Sequence, residues 1–529
     1  MSNDGKPDVA PPPEMFNFAR HVIQLNAGRA EKVAYIDDLG ELTYGELATQ
    51  IRRFGDSLRN LGLRTEQRLL LALPDCNEWP VAFLGALYAG VIPVPVNTLL
   101  TANDYAYLID HSGASAAIVS RALFANFREA LARTSNSACQ ILIAAGPPAV
   151  PDTAHGGIDF TQLIAQGDAN YPGASTHCDS MAFWLYSSGS TGRPKGVVHT
   201  HGNLFWTNEL YAKPIMGLTA EDRIFSAAKL FFAYGLGNAL TFPLSVGASA
   251  VLMADRPTPE AVFARLQRHR PTIFCGAPTL YAGMLASAAL PARESVGLRM
   301  CTSAGEALPQ EIGERFASHF GREIIDGLGS TEMLHIFVSN RPGDARYGTT
   351  GKPVDGYEVQ IRDDLGHQTH QGEIGDLWVK GPTAALMYWN DRSKTRETFH
   401  GAWLRTGDKY VCREDGYYIY AGRNDDMLKI SGQYVSPFEV ESTLMQHASV
   451  LESAVVAITD ASGINKCKAF VVLHRNVEAQ SSLAAELQLF VKQRLAPFKR
   501  PHYIEFVADL PKTATGKIQR FKLRELAGK

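Results

Sequence analysis

The 529-residue chain has too few cysteines, and in the wrong pattern, for a disulfide framework. Its seven cysteines (76, 139, 178, 275, 301, 412 and 467) are odd in number, scattered, and include no Cys-x-x-Cys pair, so they read as reduced thiols of a cytoplasmic protein. Neither charge dominates. The 51 Lys and Arg against 54 Asp and Glu give a formal net charge of -3, which leaves no global basic field to hold a nucleic-acid backbone. The amino terminus is polar and proline-broken and lacks the charged-then-apolar profile of an export signal. One uncharged stretch, 79–96, is long enough to raise the question of a membrane span. Pro80, Gly85, Gly90, Pro93 and Pro95 interrupt it, so it reads as a buried helix running into a buried strand, and no membrane partner is expected. There is no internal repeat, no Gly-x-Ser-x-Gly elbow and no His-Glu-x-x-His. The close pair His199 and His201 has no ligand partners at metal spacing and reads as structural.

The length corresponds to about three to four domain-sized units. Short apolar or β-branched runs at 68–73, 116–119, 141–145, 248–253, 272–275 and 323–325 alternate with helix-like segments such as 259–269, the order of an α/β fold with parallel sheets. From about Gly351 the texture changes to alternating, glycine-punctuated strands at 357–362, 375–380 and 416–421, which predicts an antiparallel sheet or barrel. The last forty residues carry ten Lys and Arg against three acidic groups, a solvated surface or a landing place for a polyanionic ligand.

The densest chemical signal is Tyr186-Ser-Ser-Gly-Ser-Thr-Gly-Arg-Pro-Lys-Gly196. Glycines let backbone N–H groups turn toward phosphate oxygens, hydroxyls add donors, and Arg193 or Lys195 supplies charge. It is not a Walker loop, because no hydroxyl residue follows a Gly-Lys pair at the required spacing. Downstream, in order, stand Gly327-Leu-Gly-Ser-Thr-Glu332, Gly372-Glu-Ile-Gly-Asp-Leu-Trp-Val-Lys-Gly381, Trp403-Leu-Arg-Thr-Gly-Asp408, Gly422-Arg-Asn-Asp-Asp-Met-Leu-Lys429 and Pro511-Lys-Thr-Ala-Thr-Gly-Lys517. Together these resemble the adenylate-forming superfamily of acyl-CoA synthetases, luciferases and peptide-synthetase adenylation domains, over about 42–520.

The resemblance implies a large amino-terminal region, 1–424, of two doubly wound α/β subdomains plus a β-barrel-like subdomain. A hinge at Asp425 and a small mobile α+β domain, 426–529, would follow. It implies that Ser187, Ser188, Ser190, Thr191 and Lys195 hold the β- and γ-phosphates of ATP, that Thr331 bonds the α-phosphate, and that Glu332 faces Mg2+. Ala304, Gly305 and Glu306, with Asp326, Gly327 and Leu328, would form the adenine pocket; Leu328 stands where a tyrosine commonly stacks. Asp408 and Arg423 would hold the ribose, and Lys517 would bridge the carboxylate and the α-phosphate. Lys429, Ser431 and Gly432 would line a tunnel for coenzyme A, and acetylation of Lys517 by a lysine acetyltransferase would silence the enzyme. A homodimer stays open.

The acid pocket implied by the resemblance comprises Phe232, Ala233, Tyr234, Gly329, His335 and Ile336, a wall without fixed charge that suits a flat ring bearing a carboxylate. Phe16-Asn-Phe-Ala-Arg20, Ala34-Tyr-Ile-Asp37, Phe274-Cys-Gly-Ala-Pro-Thr-Leu-Tyr281, Ser303-Ala-Gly-Glu-Ala-Leu-Pro309 and Gly329-Ser-Thr-Glu-Met-Leu-His-Ile-Phe337 are similar to the benzoate–CoA ligase branch. Expected is therefore a ligase for benzoate, with hydroxy-, amino- or halobenzoates as alternatives. A carrier-loading adenylation enzyme and a non-catalytic nucleotide sensor are the readings from other classes. His335 is open between a pocket residue and a packed core histidine.

Overall fold

The computed structural model describes residues 9–146, 157–187, 193–423, 427–430, 433–459, 465–475, 477–496, 499–512 and 518–527. Two parallel sheets form the frame. One has five strands, in spatial order Ile92–Pro95, Arg68–Ala72, Ala116–Ser120, Ile141–Ala145 and Ile158–Asp159. The other has nine. Its parallel centre runs Ser249–Val251, Arg223–Ser226, Ile273–Gly276, Met300–Ser303 and Ile324–Gly329, with Val33–Ile36 parallel beyond Ser249–Val251. Antiparallel strands close both edges. Numbered along the chain, each five-strand parallel set has the order 2-1-3-4-5, a doubly wound arrangement whose strand order reverses between its first and third strands.

The strands are apolar along their whole length, as burial on both faces requires: 68–73 and 116–119 are covered almost completely. One core joins the two sheets, taking Leu69, Leu71 and Ile118 from one and Ala250 and Leu252 from the other. The 79–96 stretch folds as read, into the helix Glu78–Tyr88 and the strand Ile92–Pro95, both inside the protein. No helix among the described residues is long and apolar enough to cross a membrane. The helix Pro259–His269 matches its sequence signals: Thr258 accepts from the Ala261 N–H, proline opens the first turn, and Arg268 and His269 sit in the last.

The antiparallel region is a five-stranded sheet of Glu358–Arg362, Gly375–Lys380, Trp403–Cys412, Phe399–His400 and Tyr418–Arg423. The last of these starts two residues later than the alternation predicted, because Gly416 turns the chain at φ 79°. A hairpin, Met181–Ser187 with Lys195–Thr200, carries Met387–Tyr388 on its edge. After it come the pair Leu428–Ile430 and Gln433–Val435 and a three-stranded sheet of Val450–Thr459, Asn465–Leu473 and Tyr503–Phe506, with the helices Pro437–Met445, Ser481–Lys492 and Arg520–Ala527. This is the expected architecture: a large region of two α/β sheets and a curved antiparallel sheet, followed by a small α+β unit.

Candidate active site

Open α/β sheets offer a crevice outside the carboxyl ends of their strands where the strand order reverses. In the nine-stranded sheet that point lies between Arg223–Ser226 and Ile273–Gly276. The segments leaving the carboxyl ends there hold Phe232, Ala233 and Tyr234 after the first strand, and Ala304, Gly305 and Glu306 after Met300–Ser303. Asp326, Gly327, Leu328 and Gly329 finish the next strand. Ser303 and Asp326 stand side by side in register, so the two halves of the expected adenine pocket are neighbours. Leu328 is half-buried against the apolar core below. Asp326 is buried; burial pushes its carboxyl up to about 8, against contacts with the Ser303 side chain and the Leu308 and Gly327 backbone.

The side expected to take the acid is aromatic and neutral. The Tyr234 and Thr302 hydroxyls are 2.7 Å apart, and the Tyr234 ring lies over His335 with centroids 5.6 Å apart. His335 is only 3% exposed and also meets Tyr211 at 5.3 Å and Phe242 at 4.5 Å. Neither of its ring nitrogens has hydrogen-bond geometry with a described residue. Burial holds the imidazole down to about 3, against a weaker raising contact with the Tyr234 backbone. It is thus a packed neutral histidine by environment, standing beside Tyr234 of the expected acid pocket. Two local devices put it there. Gly237 has no side chain where a Cβ would come within 2.4 Å of His335 Cδ2. Leu334 is held at φ 63°, a strained conformation for a branched residue, with its N–H donated to the Thr331 carbonyl at 3.1 Å. Ile336 is buried and pairs with Gly329 across the sheet edge; Phe232 is half-buried, its ring 4.4 Å from Phe231.

The phosphate side is built on the hairpin, where Ser187 and Lys195 face each other in register at the two stems of the glycine-rich loop. Burial pulls the Lys195 ammonium down from its ordinary range; the charge on Glu332 acts the other way, while Lys394 and Arg423 add to the lowering. Lys195 Nζ stands 5.0 Å from the centroid of the Tyr388 ring, and the Tyr388 hydroxyl donates to Glu332 Oε1 at 2.8 Å. The Thr331 carbonyl accepts from His199 Nε2 at 2.7 Å, and His199 Nδ1 lies 3.1 Å from Asn203 Oδ1. Burial lowers this imidazole to about 4, and His201, equally enclosed, to about 3. On the antiparallel sheet Asp408 and Arg423 are direct cross-strand partners, with Arg423 Nε 3.4 Å from Asp408 Oδ1. The carboxylate is largely buried and the guanidinium half-exposed, a pair able to grip one diol from two sides.

Ser188, Ser190, Thr191, Asp425, Ser431, Gly432 and Lys517 lie outside the described residues, and of Lys429 only the backbone, in Leu428–Ile430, is described. Lys512 and Ile518, which flank the segment ending in Lys517, bridge to each other. Three features beside these residues could not be read from the motifs. Tyr388 touches Glu332 across 56 residues of sequence, His199 touches the Thr331 carbonyl across 132, and Leu334 carries the backbone strain. Only the positive-φ requirement at Leu334 is local, and a leucine gives no sign of it.

Known proteins place this geometry. The sequence matches the AMP-binding enzyme family over residues 23–389 and the AMP-binding enzyme C-terminal domain over 439–517. It is 53% identical to the benzoate–CoA ligase of Thauera aromatica over 97% of this chain and 96% of that one. Against the 4-hydroxybenzoate–CoA/benzoate–CoA ligase of Rhodopseudomonas palustris it is 44% identical over 97% and 94%. The crystal structure of a benzoate CoA ligase from Burkholderia xenovorans superposes with a TM-score of 0.91 at 59% identity, covering 96% of this chain and all of the other. By sequence, by strand order and by the groups gathered at its crevice, the chain belongs to the AMP-binding enzyme family.

Proposed function

We propose that the protein is an AMP-forming ligase that joins benzoate to coenzyme A. The observation that carries this reading is the near-full-length identity to two ligases whose names specify benzoate. The neutral aromatic wall of Tyr234 and His335 supports it, since a long flexible chain would gain little from so compact a lining. A benzoate oxygen attacks the α-phosphorus of ATP and the bond to pyrophosphate breaks. The thiol of coenzyme A then attacks the carbonyl carbon of benzoyl-AMP, and AMP leaves. No protein nucleophile is required; the work is to bring two anions together and neutralise them.

In this reading Lys195, Ser187 and the residues of the loop between them hold the departing phosphates. Thr331 bonds the α-phosphate, Asp408 and Arg423 hold the ribose, and Lys517 bridges the two reacting anions. Residues 1–424 form the adenylating unit. Rotation about Asp425 exchanges Lys517 for the segment of Lys429, Ser431 and Gly432 between the half-reactions. Glu332 fits Mg2+: it offers a hard carboxylate, half-exposed beside the phosphate-loop stem, of the kind that completes Mg2+ together with substrate phosphates. Bound there, Mg2+ supplies charge neutralisation on the polyphosphate. Acetylation of Lys517 would remove the bridging charge and stop the first step.

The test is consumption of the coenzyme A thiol with ATP and Mg2+ across benzoate, its 2-, 3- and 4-substituted forms, acetate and octanoate. Preference for benzoate and small-substituent analogues is expected. Turnover with aliphatic acids only would overturn the substrate, and AMP release without thiol loss would overturn the acceptor. Lys517→Ala is expected to slow pyrophosphate release by at least about a hundredfold while sparing thioester formation from supplied benzoyl-AMP. Equal loss of both half-reactions would refute its role.

A further inference from the structure

Tyr388 stands between two side chains that the proposed reaction needs, and it belongs to none of the motifs that mark that reaction. Its short strand pairs with Lys195–Thr200, Tyr388 opposite Val197, which brings it beside the phosphate-loop stem. The hydroxyl donates to Glu332 Oε1 at 2.8 Å, and the ring presents its face to Lys195 Nζ, 5.0 Å from the centroid. The placement is over-determined. The residue is only 4% exposed, its N–H donates to Thr395 Oγ1 at 3.0 Å, and its ring meets Phe399 at 5.7 Å.

Glu332 and Lys195 carry opposite charges and feel each other's field, yet among the described residues no direct ion pair joins them. In a half-buried cleft a carboxylate and an ammonium left to themselves close into a pair. That pair would then have to open before the carboxylate could meet a cation or the ammonium a phosphate oxygen. Tyr388 gives each charge a neutral partner instead: a hydrogen bond for the carboxylate and the electron-rich ring face for the ammonium. Because the hydroxyl occupies Oε1, it also fixes which way the carboxylate turns.

We propose that Tyr388 is a positioning residue for adenylate formation, holding Glu332 and Lys195 apart and aimed so that the one is available to Mg2+ and the other to the polyphosphate of ATP. The inference rests on the ligase reading, with Glu332 on the cation and Lys195 on the phosphates. It predicts a defect in the coupling between Mg2+ and ATP, which mere damage to packing would not produce.

The experiment is calorimetric titration of the full-length protein with ATP, in Mg2+ and in EDTA, for the wild type, Tyr388→Phe and Glu332→Gln, singly and combined. Tyr388→Phe keeps the ring below Lys195 and removes the hydroxyl. It is expected to weaken ATP binding about tenfold in Mg2+, to leave binding in EDTA within about twofold, and to add less than about twofold in the Glu332→Gln background. The Mg2+ concentration giving half-maximal pyrophosphate release should rise in parallel, and the rate from supplied benzoyl-AMP to thioester should not change. An unchanged Mg2+ dependence, an equal loss in EDTA, or full additivity with Glu332→Gln would overturn the proposal. Tyr388→Leu, which also removes the ring face, should weaken binding in EDTA as well; if it behaves as Tyr388→Phe does, the contact with Lys195 plays no part. The titration uses neither acid nor thiol, so it decides on Tyr388 whichever acid the enzyme takes.

Discussion

The two parallel sheets share one strand order, and each therefore has one reversal point, but their loops differ. In the five-stranded sheet the groups at the carboxyl ends are tied up inside the protein. Arg121 is paired with Asp159 and donates to the Gly146 carbonyl, and Asp75 accepts from the Leu230 N–H at 3.1 Å. In the nine-stranded sheet the corresponding loops gather the neutral wall of Tyr234 and His335, the raised carboxyl of Asp326 and the turn bearing Thr331 and Glu332. The same topology thus yields a brace in one case and a reaction crevice in the other, because the chemistry belongs to the loops and the sheet only presents them. The hydrogen bond from Leu230 to Asp75 connects the two, since Leu230 begins the segment that carries Phe232, Ala233 and Tyr234.

Matched glycine substitutions test this difference most sharply. In the crevice, a Cβ on Gly235 would lie 2.0 Å from the Lys229 carbonyl oxygen, backbone that cannot move without shifting Tyr234. Gly235→Ala is expected to lower kcat/KM for benzoate by about ten- to a hundredfold, the equivalent of an overpacking cost of about 1–3 kcal/mol realised in the site. In the brace, a Cβ on Gly85 would meet Phe54 Cδ1 at 2.7 Å, where the helix Glu78–Tyr88 packs against the buried face of the helix Tyr44–Asn60. Gly85→Ala should cost a similar free energy as a lower denaturation midpoint, with the benzoate KM unchanged. If the two variants show the same kinetic defect, the division of labour between the sheets is wrong.

Removing the tie between the sheets should have a smaller effect. Asp75→Ala leaves the Leu230 N–H without its acceptor, and the benzoate KM is expected to rise about three- to tenfold in steady-state assays while the KM for ATP holds. A rise in both would mean that Asp75 supports the whole fold and not the acid loop.

The change expected from Asp326→Asn is one of pH dependence. Burial raises this carboxyl to about 8, so the folded protein binds its proton more tightly than the unfolded chain does. Its contribution to stability is full below the ordinary carboxylate range and is lost as pH rises through about 8. The amide has nothing to ionise. Urea midpoints should therefore match below about pH 4 and increasingly favour the Asn variant as pH rises to about 8, by more at pH 9 than at pH 6; a difference that stays constant from pH 6 to pH 9 would show that Asp326 is not held protonated.

Much of this was legible in the sequence, and for a physical reason. Glycine-rich loops, strand ends and helix ends depend on short contiguous peptides, so Tyr186 to Gly196, Gly327 to Glu332 and Trp403 to Asp408 stand out locally as the segments that carry the family resemblance. The burial of 79–96 and the switch from parallel to antiparallel strands near Gly351 could also be read, because glycine, proline and side-chain alternation act over a few residues. Strand ends were less secure: 248–253 was read as one strand, but only Ser249–Val251 pairs. Which residues meet across the fold was not legible. The sequence by itself determined the family of chemistry, the order of the sheets' strands along the chain and the residue types available. Only the tertiary structure decided that a tyrosine from the edge of a hairpin lies between Glu332 and Lys195, that Asp75 reaches the segment carrying Phe232 to Tyr234 in the other sheet, and that Leu334 takes a left-handed conformation next to His335. Those contacts arise where distant segments pack against one another, and their geometry is set by the shared core.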